Sequence, residues 1–506
     1  MNGLRRGALA HVLLLGALLA TACGGTAPAA KRAPANAADN AAPKLPPVEL
    51  TVACLDVGTT KDLGKVQEAL NRMLRAKINA TVKLVPVVAS DYAQKMNILI
   101  TGGDRLDLMI TGDWLDYYEQ ASRGQLLPLE DLLARYAPDV PKAIRADIRE
   151  ATEANGKQYA VPSIRDWAAD YGYMMRKDLA DKYGIDLSKA KSFAALTPVF
   201  ETIVKGERMP AVASEKAGAT IYDGMAPVDF DSLGDYNGVL PRNEGGQVVD
   251  MYETEAYKRS LALIRKWYLM GAVPQRLSTN KSSPEVLIKT GVAAGQMARM
   301  KPGYEDKEGR AVGQAMVAAH LSPAIATTST VANIMWSIPV VARNPERAAM
   351  LLELLYTDAD VLNLLSYGIQ GVHYAEKAGN VVGFPAGVTA ANAAYNPTWS
   401  WMWGNQFLTK AFEPDAADIW ERQKAFNDAA SKSSAFGFNF NLEPVRTAYA
   451  AVEAVKARYV NGLENGVLDP GQYLPQFVAE LKSVGMDAIV AEKQKQLDAW
   501  LAARGK

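Results

Sequence analysis

Apolar positions along the early folded chain alternate between two periods. Val48–Cys54 (VELTVAC) reads as a strand, and Leu63, Val66, Leu70, Met73 and Leu74 recur on one face of a helix over Lys61–Lys77. Thr81–Val87 (TVKLVPV) is a second strand, and Tyr92–Thr101 a second helix with Tyr92, Met96 and Leu99 on its apolar side. Leu106–Ile110 (LDLMI) is a third short strand. Strands alternating with amphipathic helices predict an α/β fold with a parallel sheet, whose ligands bind beyond the carboxyl ends of the strands. Two loops occupy that position, Asp56–Thr60 and Thr111–Tyr117.

Farther along, helical periodicity covers Ser192–Gly206, Thr254–Gly271 and Pro345–Tyr356, and Gly291–Met300 is strand-like. A Gly/Asp-rich stretch, 217–246, lies between the first two. The C-terminal part is mostly helical, over Asp415–Ser433, Val445–Gly462, Gln472–Val484 and Asp487–Ala503. No internal repeat emerges.

The N-terminus has a different character. Arg5 and Arg6 precede the apolar run Leu9–Ala22, which is too short to span a bilayer as a mature helix. The run ends in LATACG, which resembles a bacterial lipobox, although Ala20 stands where Leu is usual. The resemblance implies a signal peptide over 1–22 and a diacylglyceryl group on the Cys23 sulfur, whose two chains anchor stably. Residues 23–47 are Ala/Pro-rich with little to bury, a solvated tether.

Composition narrows the function classes. With 506 residues the chain can build two or three large cores. Its 55 basic residues balance 55 acidic ones, so nothing points to nucleic acid. The only cysteines are Cys23 and Cys54, and the only histidines are His11, His320 and His373. A Cys/His metal site cannot be assembled from the residues beyond 24, and Cys54 reads as a small buried residue of the first strand.

Tyr395–Gln406 (YNPTWSWMWGNQ) sets Trp399, Trp401 and Trp403 at alternate positions. In an extended chain these indoles share one face. Beside them stand Asn396, Asn405 and Gln406, so the segment suits the C–H face and hydroxyls of a sugar; an aromatic core cluster is the alternative. Trp114 and Asp113 follow a strand, Arg165 and Trp167 stand next to Pro162, and Trp336 lies in the apolar run IMWSIPV. Trp267, Trp420 and Trp500 fall on helical faces and read as packing, while Lys301-Pro302-Gly303 reads as a solvated turn.

The order DLMI, a Trp loop, GQLLPLEDLL, GKQYAVP and YMMRKDLADKYGI resembles the extracellular solute-binding proteins of ABC importers, especially the oligosaccharide branch. LLYTDADVLNLLSYGIQGVHY resembles that family's helix pair, and the region from about Tyr395 onward is similar to a C-terminal extension of one lipoprotein subgroup. The resemblance implies a periplasmic-binding-protein-like type II architecture, similar to maltose-binding protein. Two α/β lobes are joined by crossover hinges, with a helical C-terminal region. Lobe one would comprise 48–162 and 323–368, and lobe two 163–322 and 369–506. It implies an oligosaccharide gripped by Asp113, Trp114, Arg165, Trp167, Trp336, Trp399, Trp401, Trp403 and Asn405. It also implies the transmembrane subunits of an ABC permease as partners, a monomer, a lipid-anchored place on the outer side of the cell membrane, and neither a cofactor nor a metal.

No catalytic motif competes. The run Gly58–Lys65 has one residue too many between its glycines for a phosphate loop, and Val66 replaces the magnesium-binding hydroxyl. Asp229–Gly234 hints at a calcium loop, yet Leu233 takes a ligand position. G-x-S-x-G and H-E-x-x-H are absent. The sequence therefore predicts a binding protein and not an enzyme, with a surface glycoside hydrolase or a ligand-free interaction lipoprotein as the alternatives.

Overall fold

The computed structural model describes residues 45–505 except 243–245, 280–281 and 396, and does not describe the side chains of 278 and 397–399. The signal peptide, Cys23 and nearly all of the tether lie outside the described residues.

The first sheet has the strand order Ala80–Val87, Val48–Leu55, Leu108–Thr111, Met335–Ser337, Val161–Pro162. Its first three strands are parallel, in a register running from Val48 opposite Ala80 to Leu55 opposite Val87. Met335–Ser337 comes back antiparallel between Leu108–Thr111 and Val161–Pro162. The helix Leu63–Ile78 buries Val66, Leu70 and Leu74 on the sheet and ends on Asn79 at φ 47°, with Arg75 and Lys77 complementing its last turn. Cys54 is buried in the first strand without a disulfide partner. Burial, helped by the nearby charge of Asp56, pushes its thiol up to about 12.

The second sheet is antiparallel. Asp170–Arg176 lies between Gly295–Met300 and Met316–His320. Its core takes Tyr173, Phe200, Ile221, Tyr257 and Trp267, and also the C-terminal helices Arg446–Glu464, Pro470–Ser483 and Met486–Ala503, through Val455, Phe477, Leu481 and Ile489. Glu464 locks them in place. Its buried carboxyl accepts hydrogen bonds from Thr220 Oγ1 at 2.8 Å and Tyr257 Oη at 3.1 Å, and burial pushes its pKa up to about 8.

Three segments connect the two cores. Ala169 bridges Ile325, and Ile325–Ala326 pairs in parallel with Ser431–Lys432. The third connection therefore runs through Ser431–Phe438, later in the chain than the 368/369 boundary that the resemblance implies. Gly368 and Gly371 do turn the chain, at φ 82° and 80°, but the turn stays beside the first core. Tyr395, Met402, Trp403 and Phe436 all pack in that core, and Tyr367, Tyr374, Val382 and Phe412 form a satellite cluster. Residues between 369 and about 430 thus belong with the first lobe. A glycine turn redirects a chain without saying which surface it will next cover.

Candidate functional site

The strand Leu108–Thr111 delivers the chain to a close crossing. A Cβ on Gly112 would stand 2.2 Å from the Asn333 carbonyl oxygen, so only glycine passes. The next turn, Asp113–Leu115, is pinned by backbone. Asp113 N donates to Ala332 O at 2.9 Å, and Trp114 Nε1 donates to Asn333 O at 2.9 Å. The Trp114 ring is left 46% exposed, an indole fixed at one edge and open to a ligand at its face. The half-buried Asp113 feels the opposite lobe. Its pKa is pushed up to about 6, first by burial, against a Ser329 hydrogen bond and with added repulsion from Asp235 and Asp231.

The facing wall comes from the second lobe. Asp235 accepts from Lys493 Nζ at 2.8 Å, and that fully buried ammonium also donates to Gly238 O at 3.0 Å and lies 4.9 Å from the Phe440 ring centroid. Asp231 is buried, with Oδ1 accepting from Leu233 N at 3.0 Å. Beside it stand Tyr171, Glu215, Tyr236, Arg242 and Arg299, close enough to alter one another's ionisation. Burial raises the pKa of Glu215, and its Oε2 has no hydrogen-bond partner.

Between the walls, at the first crossing, Asp166 collects three cations. Arg165 Nε donates to it at 2.7 Å, Lys301 Nζ at 2.9 Å and Arg299 Nη1 at 3.2 Å. Burial alone would raise this carboxyl, but the cations, led by Arg165, hold it well below the usual carboxylate range. Burial pushes Lys301 the other way, down to about 8, despite Asp166. The solvated-turn reading of Lys301 is overturned, because its ammonium bridges the second sheet to the crossing.

The structure scatters the predicted aromatic wall. Pro397–Met402 is a 3-10 turn, not an extended strand, so alternate residues do not share a face. Trp336 and Trp403 are sealed in the first core, stacked at 5.5 Å with an interplanar angle of 17°. Trp336 Nε1 donates to Met402 O at 2.8 Å. Both are packing residues. Gly404 sets the fit, since a Cβ there would meet Leu355 O at 1.9 Å. Trp401 is half-buried, with the Arg165 guanidinium 5.3 Å from its ring centroid. The Trp399 side chain and Asn396 lie outside the described residues.

Two other expected ligand residues are engaged by backbone. Trp167 is buried, its Nε1 donating to Ser163 O at 2.8 Å. Asn405 caps a short turn by accepting from Phe407 N at 3.1 Å, and its amide donates to Tyr356 O at 3.3 Å. Of the predicted set, Trp114 is exposed, and Asp113, Arg165, Trp401 and Asn405 are half-buried.

Sequence reasoning misses Tyr171, Tyr236, Arg242 and Arg299. They lie far apart along the chain in no motif; the run of glycines and aspartates around Asp231 and Asp235 is the only signal, and on its own it reads as a loop. In the Asp229–Gly234 loop, Asp231 Oδ1 accepts a hydrogen bond from Leu233 N at 3.0 Å.

Comparison with known proteins adds an independent finding. Residues 64–362 match the family described as bacterial extracellular solute-binding protein, and residues 434–502 match a domain of unknown function. A carbohydrate ABC transporter substrate-binding protein of Streptococcus pneumoniae is 25% identical over 439 residues, covering 85% of this chain and 87% of that one. The crystal structure of an N-glycan transport solute binding protein of Streptococcus pneumoniae aligns at TM-score 0.81 and 23% identity, over 90% of this chain and 100% of that one. The same protein in complex with Man5GlcNAc aligns at TM-score 0.74 and 23% identity, over 90% and 99%. At these identities the likeness shows a shared fold.

Proposed function

We propose that this chain, which belongs to the bacterial extracellular solute-binding proteins, captures an oligosaccharide between its two lobes and delivers it to the membrane subunits of an ABC importer. One observation supports the reading: Asp113, beside the exposed Trp114, feels the charges of Asp231 and Asp235 from the second lobe, and Asp231 in turn acts on Arg242 together with Tyr171 and Tyr236. An aromatic face with converging donors and acceptors suits a ring that is apolar on its faces and polyhydroxylated at its edges. A ligand held by both walls would favour the closed arrangement, because only there are all its contacts made.

The ligand class draws support from two relatives, one described as a carbohydrate substrate-binding protein and one crystallised with mannose–GlcNAc oligosaccharides. We assign Asp113, Trp114, Tyr171, Tyr236, Arg242 and Arg299 to ligand contact, with Arg165 and Trp401 bordering the site. The cleft captures and does not cleave. No helix among the described residues is long and apolar enough to cross a membrane. We place the attachment at a lipid on Cys23, which mass spectrometry of the membrane-extracted protein would identify and a Cys23→Ser variant would abolish.

A melting-temperature screen against neutral and charged oligosaccharides tests the function. A ligand that binds only the folded chain at 100 times its Kd adds about 2.7 kcal/mol, so a clear rise is expected with at least one mannose–GlcNAc sugar. A flat response across the whole panel would refute carbohydrate capture.

A further inference from the structure

We infer that the C-terminal region builds a second sugar subsite, taking the far end of a long neutral oligosaccharide whose near end lies at Asp113 and Trp114; this rests on the carbohydrate reading above. Residues 434–502 match a domain to which no role is attached. The structure shows what the region does geometrically. It closes one side of a cavity of about 400 Å³ whose other side is the first lobe.

The first lobe contributes Tyr118, Glu150 and Asn155, and the C-terminal region contributes Asn439, Trp500 and Arg504. Neither lobe encloses this space alone. The third crossing passes between the walls at Gly437, whose φ of 95° favours glycine and where a Cβ would fit closely, 3.3 Å from Ala151 Cα and 3.4 Å from the Trp500 ring. Trp500 is held from the side by Phe438, edge-on at 6.0 Å and 72°. Helical spacing alone makes Trp500 a packing residue; its half-buried ring in fact borders the cavity.

The cavity's polar groups are unspent. The Tyr118 side chain lines the cavity, and its hydroxyl is turned away from solvent without a hydrogen-bond partner among the described residues. The side-chain amides of Asn155 and Asn439 project from the two walls. Charge is settled only in part, because Glu150 and Glu153 form no ion pair among the described residues. Arg446 pairs with Glu443 and reaches Glu119 across the lobes at 3.4 Å, and Glu119 also receives Arg123 at 2.6 Å. The Arg504 guanidinium lies 4.6 Å from the Trp500 centroid. An indole, two amides and a surplus of carboxylates suit the faces and hydroxyls of a neutral sugar and disfavour an anion. Tyr118 links the two subsites, because it lines this cavity from the helix that follows the Asp113–Leu115 turn directly.

The length dependence of affinity tests this. Man1GlcNAc and Man5GlcNAc, the ligands of the pneumococcal relative's complexes, are titrated into wild type, Asn439→Ala, Asn155→Gly and Trp500→Ala. Glycine is chosen at Asn155 because its φ of 52° favours it. The two amide variants keep the test valid where Trp500→Ala fails to fold. Expected is an affinity for Man5GlcNAc about fivefold lower in each amide variant, with Man1GlcNAc unchanged. Equal effects on both sugars, or none on either, would overturn the second subsite while leaving carbohydrate capture intact. Failure of wild type to bind either sugar, with no response from the wider panel, would sink both readings together.

Discussion

Two pairs of tryptophans separate packing from recognition in this molecule. Trp336 and Trp403 stack face to face at 5.5 Å with almost no exposed surface. Trp114 and Trp500 each show part of a ring to a space that the two lobes share or border. What differs is the partner of the ring. The buried pair packs ring on ring, with the Trp336 N–H bonded to Met402 O. Trp114 spends its N–H on Asn333 O and keeps its face free, the arrangement of a side chain held rigid for something else.

The contrast is most sharply broken at the buried pair. Trp403→Ala removes a large ring from the first core and should cost about 3–5 kcal/mol, read as a lower denaturation midpoint. Ligand affinity in the fraction that remains folded should stay near wild type. A loss of affinity without a loss of stability would move Trp403 back into the site.

The exposed ring should behave in the opposite way. Trp114→Ala should weaken oligosaccharide binding about tenfold, roughly 1.4 kcal/mol, with the melting temperature of the free protein unchanged. Full affinity in this variant would refute the assignment of the first-lobe wall.

The smallest effect is a pH dependence at the same wall. The Asp113 carboxyl is raised from its ordinary 3.8 to about 6, chiefly by burial. The folded state therefore holds this proton more tightly than the unfolded chain. The contribution to stability is complete below about pH 4 and is lost as the pH rises through 6. Asp113→Asn has no such titration, so relative to wild type it should gain on the order of 1 kcal/mol between pH 4 and 7, about a third of the roughly 3 kcal/mol that the full shift implies, because Asp113 is only half-buried. A stability difference that stays flat across that range would show that Asp113 is well solvated.

Much of the fold is legible in the sequence because it depends on local periodicity. The strand at Val48, the helix at Leu63 and the three C-terminal helices begin and end within a few residues of their predicted limits. The third crossing is not legible, because Gly368 and Gly371 specify a turn and not its destination. The site is legible only in part. Asp113 and Trp114 follow a strand of a parallel sheet, a position that points to ligands on topological grounds. Tyr171, Tyr236, Arg242 and Arg299 carry no such signal, because each reaches the cleft from a different element.

From its order of apolar and polar residues alone, the chain was bound to make alternating strands and amphipathic helices, because burying one face of each element needs only neighbours a turn or a pleat away. Which tryptophans would close on each other and which would be left facing the cleft was decided only when distant segments met. Gly112 against Asn333, Gly404 against Leu355 and Gly437 against Ala151 are contacts between backbones far apart in sequence. They position the rings, and no local pattern encodes them.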